Sequence, residues 1–385
     1  MYSRLQGTPE RSFFLFGPRG TGKTAWLRQR LPGALTFDLL LADEYRRLSA
    51  APQRLREAIP ERYDGWVVID EVQRVPDLLD EVHALIETRK LRFALTGSSA
   101  RKLRRGGANL LAGRARTLHM HPLTALELGD DFDLPRAARV GTLPFACTTK
   151  DPDAYLRDYV ATYLREEVLQ EGLVRNLASF SQFLEVASFS QGSPLNMASV
   201  ARDAGVSAKL AESHFQLLED LLLAVRLPVF TRRAKRRMTS HPKFYYFDSG
   251  VFRALRPHGP LDVASEIDGP ALETVLLANL RAVNDAREFG YGIHYWRTAS
   301  GAEVDFVLYG ERGLLAIEVK RNPRVRDDDL ASLQAFGEEY PVAKRFLVHT
   351  GKERRHQSGV EILPLAHLLQ ELDRLLQDGQ LPSQR

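Results

Sequence analysis

The chain has 385 residues, 44% of them apolar, with 53 Lys and Arg against 49 Asp and Glu and a formal charge of +4. That length suits two or three domains of the usual ~100–200 residues, and that apolar content builds real cores, which excludes a disordered chain. Cys147, the only cysteine, excludes an intramolecular disulfide and a cysteine-based zinc site, and the lack of any apolar run near ~20 residues argues for a cytoplasmic protein with no membrane span.

Ser12 to Phe16 is a short apolar run of the kind a buried parallel strand needs, and Ala25 to Leu31 reads as helix. Between them, Gly17-Pro18-Arg19-Gly20-Thr21-Gly22-Lys23-Thr24 match the phosphate-binding loop G-x-x-x-x-G-K-[ST] at every fixed position. The glycines let backbone N–H groups close on a phosphate, and the helix N-terminus favours its charge. Lys23 is expected to reach the β- and γ-phosphates and the Thr24 hydroxyl to ligate Mg²⁺. Ala34 to Leu39 reads as a second strand, followed by a polar helical stretch to about Ile59.

Trp66-Val67-Val68-Ile69-Asp70-Glu71 is an apolar strand that delivers two carboxylates at its C-terminal end, the Walker B pattern. Asp70 is expected to hold Mg²⁺ through its water shell, and Glu71 to orient and polarise the attacking water. The sequence has no Asn-Lys-x-Asp guanine-reading motif, which favours ATP over GTP. Leu91 to Ser99 is another apolar strand, ending in small hydroxylated residues at the expected nucleotide crevice of a doubly wound sheet. Ser98 is the candidate sensor of the γ-phosphate or water, with Ser99 or Thr96 as substitutes. Arg114 is the candidate for the arginine that stabilises transition-state charge, in its own or a neighbouring subunit; a plain surface arginine is the alternative. His119 and His121 read as structural rather than as metal ligands.

The loop, the Ile69-Asp70-Glu71 strand, Thr96-Gly97-Ser98-Ser99 and Leu111-Ala112-Gly113-Arg114 together resemble the prokaryotic AAA-type ATPases of the archaeal-ATPase group. In many of these the module is fused to a C-terminal domain long labelled as of unknown function. The resemblance extends over essentially the whole chain. It implies a RecA/AAA-type parallel sheet for residues 1–130, ATP hydrolysis with Mg²⁺, and a homo-oligomer with sites at subunit boundaries.

Residues 131–240 are expected to form a helical linker and a winged helix. Asp130 to Lys150, with Pro135, Gly141 and Pro144, reads as an irregular boundary. From Pro152 to Gln170, Tyr155, Leu156, Tyr159, Val160, Tyr163 and Leu164 recur at helical spacing, as a core face does. Met197 to Ala204 reads as a short helix, Gly205-Val206-Ser207 as a turn with Ser207 as N-cap, and Lys209 to Leu223 as a longer helix. This order resembles a winged helix, whose second helix would enter a major groove. Its only basic residues are Lys209 and His214, so DNA-backbone contact by the basic run at residues 232–237, in the wing, is expected in place of base reading. The basic run at residues 101–105 is a further DNA-contact candidate. A winged helix used only for protein contact is the alternative.

Residues 241–385 carry an αβββαβ order: a helix from Gly269, strands Ile293 to Arg297, Glu303 to Tyr309 and Leu314 to Lys320, a helix Asp327 to Phe336, and a strand Arg345 to His349. Side chains alternate along a strand. Glu303 and Asp305 should therefore share a face opposite Val304 and Phe306. Glu318 and Lys320 should share one opposite Leu315, Ile317 and Val319. Neighbouring strands would then bring Asp305, Glu318 and Lys320 together, a set able to bind Mg²⁺ and to stabilise phosphoryl charge.

These residues resemble the PD-(D/E)xK nuclease motif, with Val304 where the family often has proline, Glu273 as a frequent further ligand and Gln334 as an accessory. The resemblance implies a restriction-endonuclease-like domain. It would bind Mg²⁺ or Mn²⁺ on Glu273, Asp305 and Glu318, set Lys320 at the scissile phosphate, and cut DNA under the control of ATP. The alternative is an ATP-dependent regulatory switch that binds DNA or a protein partner and does not cut, since relatives of the nuclease fold also serve as inactive platforms.

Overall fold

The computed structural model describes residues 2–101, 103, 111, 113–164, 176–232, 241–257, 259 and 263–379. The chain divides into two compact units, one of Gln6–His121 with Asp220–Leu223, the other of Met1–Leu5, Pro122–Glu219 and Ala224–Arg385.

In the first unit, strands β1 (Phe13–Phe16), β2 (Leu35–Asp38), β3 (Trp66–Asp70), β4 (Arg92–Gly97) and β5 (Arg116–His119) form a parallel sheet in the order β2-β3-β4-β1-β5. Parallel sheets are covered on both faces, and the apolar runs follow that demand. Phe14, Phe16, Ile69 and Leu95 pack on one side with Leu48, Leu55, Val82 and Leu85. Phe13, Leu15, Val68 and Ala94 pack on the other against Trp26 and Leu27 of the helix Lys23–Arg30. Because β4 lies between β1 and β3, its end falls between the phosphate loop and the Asp70–Glu71 pair.

In the second unit, Asp130 to Lys150 is not irregular. It holds the helices Leu134–Val140 and Pro144–Thr148. Pro135 and Pro144 occupy the first turn, where proline's missing N–H costs nothing, and Asp133 caps the first helix through the Arg136 N–H at 2.7 Å. Gly141, at φ 69°, ends that helix. The helix Pro152–Asp158 continues as a π-helical turn at Tyr159–Leu164, with Leu156 and Tyr159 buried; residues 165–170 of the expected helix lie outside the described residues.

Helix Leu177–Ser188 is followed by β6 (Ser193–Pro194), helices Met197–Asp203 and Ala208–Asp220, β7 (Ala224–Leu227) and β8 (Lys243–Tyr246). The three strands form an antiparallel sheet in the order β6-β8-β7. The Ser207 hydroxyl accepts the Leu210 N–H at 3.2 Å, as an N-cap does. His214 is buried edge-on against Phe180 and Phe183, which removes it from any exposed recognition face.

The C-terminal sheet has the order β13-β14-β12-β11-β10-β9, built from β9 (Gly292–Arg297), β10 (Glu303–Gly310), β11 (Gly313–Lys320), β12 (Lys344–His349), β13 (Arg355–Gln357) and β14 (Val360–Pro364). Helix Ala264–Arg287 begins before Gly269 and lies against one face, and helix Ala331–Glu339 against the other. The expected alternation along β10 is broken. Register against β9 shifts between Val304 and Val307, so Val304 and Val307 pack in one core while Phe306 packs in the other. A β-bulge adds one residue to one strand and reverses the faces beyond it. Among the described residues, no helix is long and apolar enough to cross a membrane.

Candidate functional sites

The loop after β1 turns through Gly20 and Gly22, both at positive φ (82° and 91°), a conformation glycine adopts without steric cost. Gly17 lies so close to the Met120 carbonyl that a Cβ would run into its oxygen. Pro18 accepts the Thr21 hydroxyl at 2.8 Å, and Arg19 completes the turn. Lys23 is buried, and its ammonium donates to the Gly17 and Pro18 carbonyls at 2.7 and 3.3 Å. The Thr24 hydroxyl donates to Asp70 Oδ2 at 2.7 Å, across 46 positions of chain. A hydroxyl and one carboxylate are the donor set of a Mg²⁺ that takes its remaining oxygens from water and phosphate, so these residues fit the ion. A cleft of about 510 Å³ opens beside them, lined in part by Arg28, Thr36 and Asp38.

Glu71 sits at φ 62°, a left-handed conformation uncommon outside glycine and typical of functional turns. Thr96 braces it: its hydroxyl accepts the Glu71 N–H at 3.0 Å and donates to Asp70. The Gln73 amide donates to the Glu71 carboxylate and to Ser98 Oγ at 3.2 Å. Ser98 thus joins the Glu71 side chain through Gln73, whereas Ser99 caps the Arg101 N–H at 3.1 Å. Neither the Gln73 bridge nor the Thr96 brace follows from motif spacing, although a glutamine two places after the acids was a visible signal.

Arg114 is paired with Glu87 at the surface. It precedes β5, whose Arg116 registers with Phe13 at the start of β1, while the loop follows the end of β1. Within its own chain Arg114 therefore lies at the opposite edge of the sheet from the loop. The rings of His119 and His121 stand 6.4 Å apart. Most of the basic runs at residues 101–105 and 232–237 lies outside the described residues; Arg101 pairs with Asp220 at 3.1 Å, and the Arg232 guanidinium lies over the Tyr309 ring.

In the C-terminal sheet, β10 and β11 bring Asp305, Glu318 and Lys320 together. Asp305 Oδ2 accepts the Val319 N–H at 2.9 Å, and Glu318 Oε2 accepts the Asp305 N–H at 3.3 Å. Glu318 Oε1 faces the Lys320 ammonium at 2.9 Å. Glu273, on the helix Ala264–Arg287, accepts the Tyr245 hydroxyl at 2.6 Å.

A residue that motif reading missed sits among these acids. Lys243 opens β8 and is only 1% exposed. Its ammonium lies 2.5 Å from Glu303, 2.9 Å from Asp305 and 3.7 Å from Glu273, beneath the Tyr295 ring. A lysine opening the aromatic run Phe244-Tyr245-Tyr246-Phe247 was its one sequence signal. Burial pushes the Glu273 and Glu318 carboxyls well up, and the Asp305 charge adds to this. Burial pulls the Lys243 ammonium down, but Tyr245, Asp305, Glu273 and Glu303 outweigh it and hold the group well above its ordinary value. Among the described residues no group of three or more His, Cys, Asp or Glu side chains is disposed to hold a metal ion. As arranged, Glu273, Asp305 and Glu318 do not fit a divalent ion.

Residues 9–129 match the AAA domain family. Residues 132–262 and 268–368 match two domains of unknown function, DUF8612 and DUF4143. The chain is 28% identical over 358 residues to the uncharacterized proteins Rv2008c of Mycobacterium tuberculosis and Mb2031c of Mycobacterium bovis, covering 88% of this chain and 76% of each. Among solved structures, Orc1 of Aeropyrum pernix in complex with DNA aligns with 65% of this chain and 87% of its own, at 16% identity and TM-score 0.29. VC1899 of Vibrio cholerae aligns with 95% of this chain and 97% of its own, at 11% identity and TM-score 0.24. The family match over residues 9–129 and the Lys23, Thr24 and Asp70 geometry on a five-stranded parallel sheet support an AAA-type P-loop ATPase in that segment.

Proposed function

We propose that the protein is an ATP-hydrolysing switch that binds DNA and does not cut it. The observation that carries the ATPase half is the convergence of Lys23, Thr24, Asp70 and Glu71 at one end of the parallel sheet. Lys23 exchanges its bonds to the loop carbonyls for bonds to the β- and γ-phosphates. Thr24 and Asp70 would hold Mg²⁺, which neutralises phosphate charge. Glu71, held by Gln73, takes the proton of the attacking water.

The DNA half is supported by the order helix, strand, helix, helix, strand, strand over residues 177–246, which is that of a winged helix, and by the basic run at residues 232–237. With His214 buried, the second helix offers little to read bases, so phosphate contact is the expected mode. Oligomerisation is part of the reading: Arg114 precedes β5 at the end of the sheet away from its own loop, so it would serve the site of a neighbouring copy.

The experiment is DNA binding against salt, with and without ATP, for the native chain and for a variant with the basic residues of the run 232–237 changed to Gln. Losing n phosphate contacts reduces the magnitude of the negative slope of log K against log salt by ~0.9n. An unchanged slope and affinity would remove the DNA half. A second reading, Mg²⁺- or Mn²⁺-dependent cutting at Asp305, Glu318 and Lys320, is favoured by their convergence on β10 and β11. It is opposed by Lys243.

A further inference from the structure

Four carboxylates, Glu273, Glu303, Asp305 and Glu318, gather around the start of β10 and the end of β11. Such a group cannot stay ionised in the interior without cations. A divalent ion is one solution, and it takes several carboxylate and water oxygens at once. An ammonium is another, with three N–H donors and a single charge. The Lys243 ammonium has three carboxylates around it, at 2.5, 2.9 and 3.7 Å. Lys320 and Arg297 add two more cations on the outer side, against Glu318 and Glu303, each at 2.9 Å.

Each oxygen of Asp305 already accepts one hydrogen bond, Oδ1 from Lys243 and Oδ2 from the Val319 N–H. A divalent ion bound to Asp305 would stand beside the ammonium in a buried site, where like charges repel strongly. Nor is Lys243 a surface side chain that swings aside freely. Its backbone is paired with Pro194 on β6 and Leu227 on β7, and Phe244, Tyr245 and Tyr246 after it are fully buried. The ammonium is delivered by the strand of a different sheet, and withdrawing it means undocking β8.

We infer that the Lys243 ammonium is the resident cation of this cluster, seated where a divalent ion would sit, so that the chain takes up no Mg²⁺ or Mn²⁺ between Asp305 and Glu318 while β8 is docked. This bears on the non-cutting part of the function proposed above, but metal location is read separately from ATP hydrolysis and DNA binding, so either can fail alone.

The test is cleavage of the full-length protein by Fe²⁺ and ascorbate, in which bound iron cuts the backbone near its site, with fragments read by mass spectrometry. Cutting near Thr24 and Asp70 in the presence of ADP serves as the positive control. The native chain is expected to stay uncut beside Asp305 and Glu318. Lys243→Met is expected to be cut there, and the double variant Lys243→Met, Asp305→Asn to be protected again. Mn²⁺ titration followed by electron paramagnetic resonance should give Lys243→Met an Asp305-dependent site at least tenfold tighter than any in the native chain. Native protein cut beside Asp305 or Glu318 overturns the inference, as does a folded Lys243→Met that stays uncut. If Lys243→Met does not fold, the native chain decides alone: protection supports the resident ammonium, and cutting refutes it.

Discussion

Lys243 and Asp305 are separated by 62 positions of chain and by 2.9 Å in space. Their contact ties β8 of the three-stranded sheet to β10 of the six-stranded sheet. Removing the lysine leaves the four acids with only the outer Lys320 and Arg297, whereas removing one acid leaves the lysine with others. Lys243→Met should therefore destabilise the second unit by about 3–5 kcal/mol, as breaking buried ion pairs does. Asp305→Asn should cost roughly 1–3 kcal/mol, since Glu303 and Glu273 remain. Urea unfolding of the three proteins measures this, and equal losses in the two variants would contradict the shared-cation arrangement.

In the proposed ATPase mechanism, Lys23 and Glu71 do different work. Lys23→Ala should lose nucleotide binding and hydrolysis together, because the ammonium contacts phosphate in both. Glu71→Gln should keep ATP bound and lose turnover by ~10²–10⁴, the usual contribution of a general base. Nucleotide affinity and single-turnover rates separate the two, and normal turnover in Glu71→Gln would remove its role.

In the same mechanism Gln73 is a positioning residue, acting through the Glu71 carboxylate. Gln73→Ala is expected to lower kcat by roughly tenfold with little change in KM, a part of what the base contributes. A rise in KM at constant kcat would mean that Gln73 contacts nucleotide instead.

Thr96→Val keeps the volume and deletes the hydroxyl that serves both Asp70 and the Glu71 N–H. The unpaired groups should cost about 1–3 kcal/mol in the first unit. Thermal melting in the presence and absence of ATP checks this; a variant as stable as the native chain would show that water replaces the hydroxyl.

Arg114 starts from the wrong edge of the sheet to serve its own loop, since a four-residue strand spans about 13 Å. Service to a neighbouring copy is the expected role. Mixing Arg114→Ala with Lys23→Ala protein should restore part of the ATPase activity, because each supplies what the other lacks. Mixed oligomers that remain inactive would return Arg114 to a surface pair with Glu87.

What the sequence determined by itself was local. The turn from Gly17 to Thr24 is legible because eight contiguous residues set both the backbone dihedrals and the chemistry, and Asp70 and Glu71 because they end one apolar strand. The helix start at Ser207 is equally short-range, a cap and its N–H three residues on, whereas the one at Asp133 lies in a stretch that reads as irregular. Tertiary structure decided the rest. Period-two alternation predicts faces only while the ladder is regular, so the bulge that turns Phe306 away from Val304 could not be read from β10 alone. The insertion of β4 between β1 and β3 gives Thr96 its two partners, and nothing in Thr96's neighbours announces that order. Lys243 is the sharpest case. A lysine at the head of an aromatic strand has a charge but no visible counterpart; its counterparts are chosen when sheets formed from distant segments pack, because burial forces the acids and the ammonium to neutralise one another.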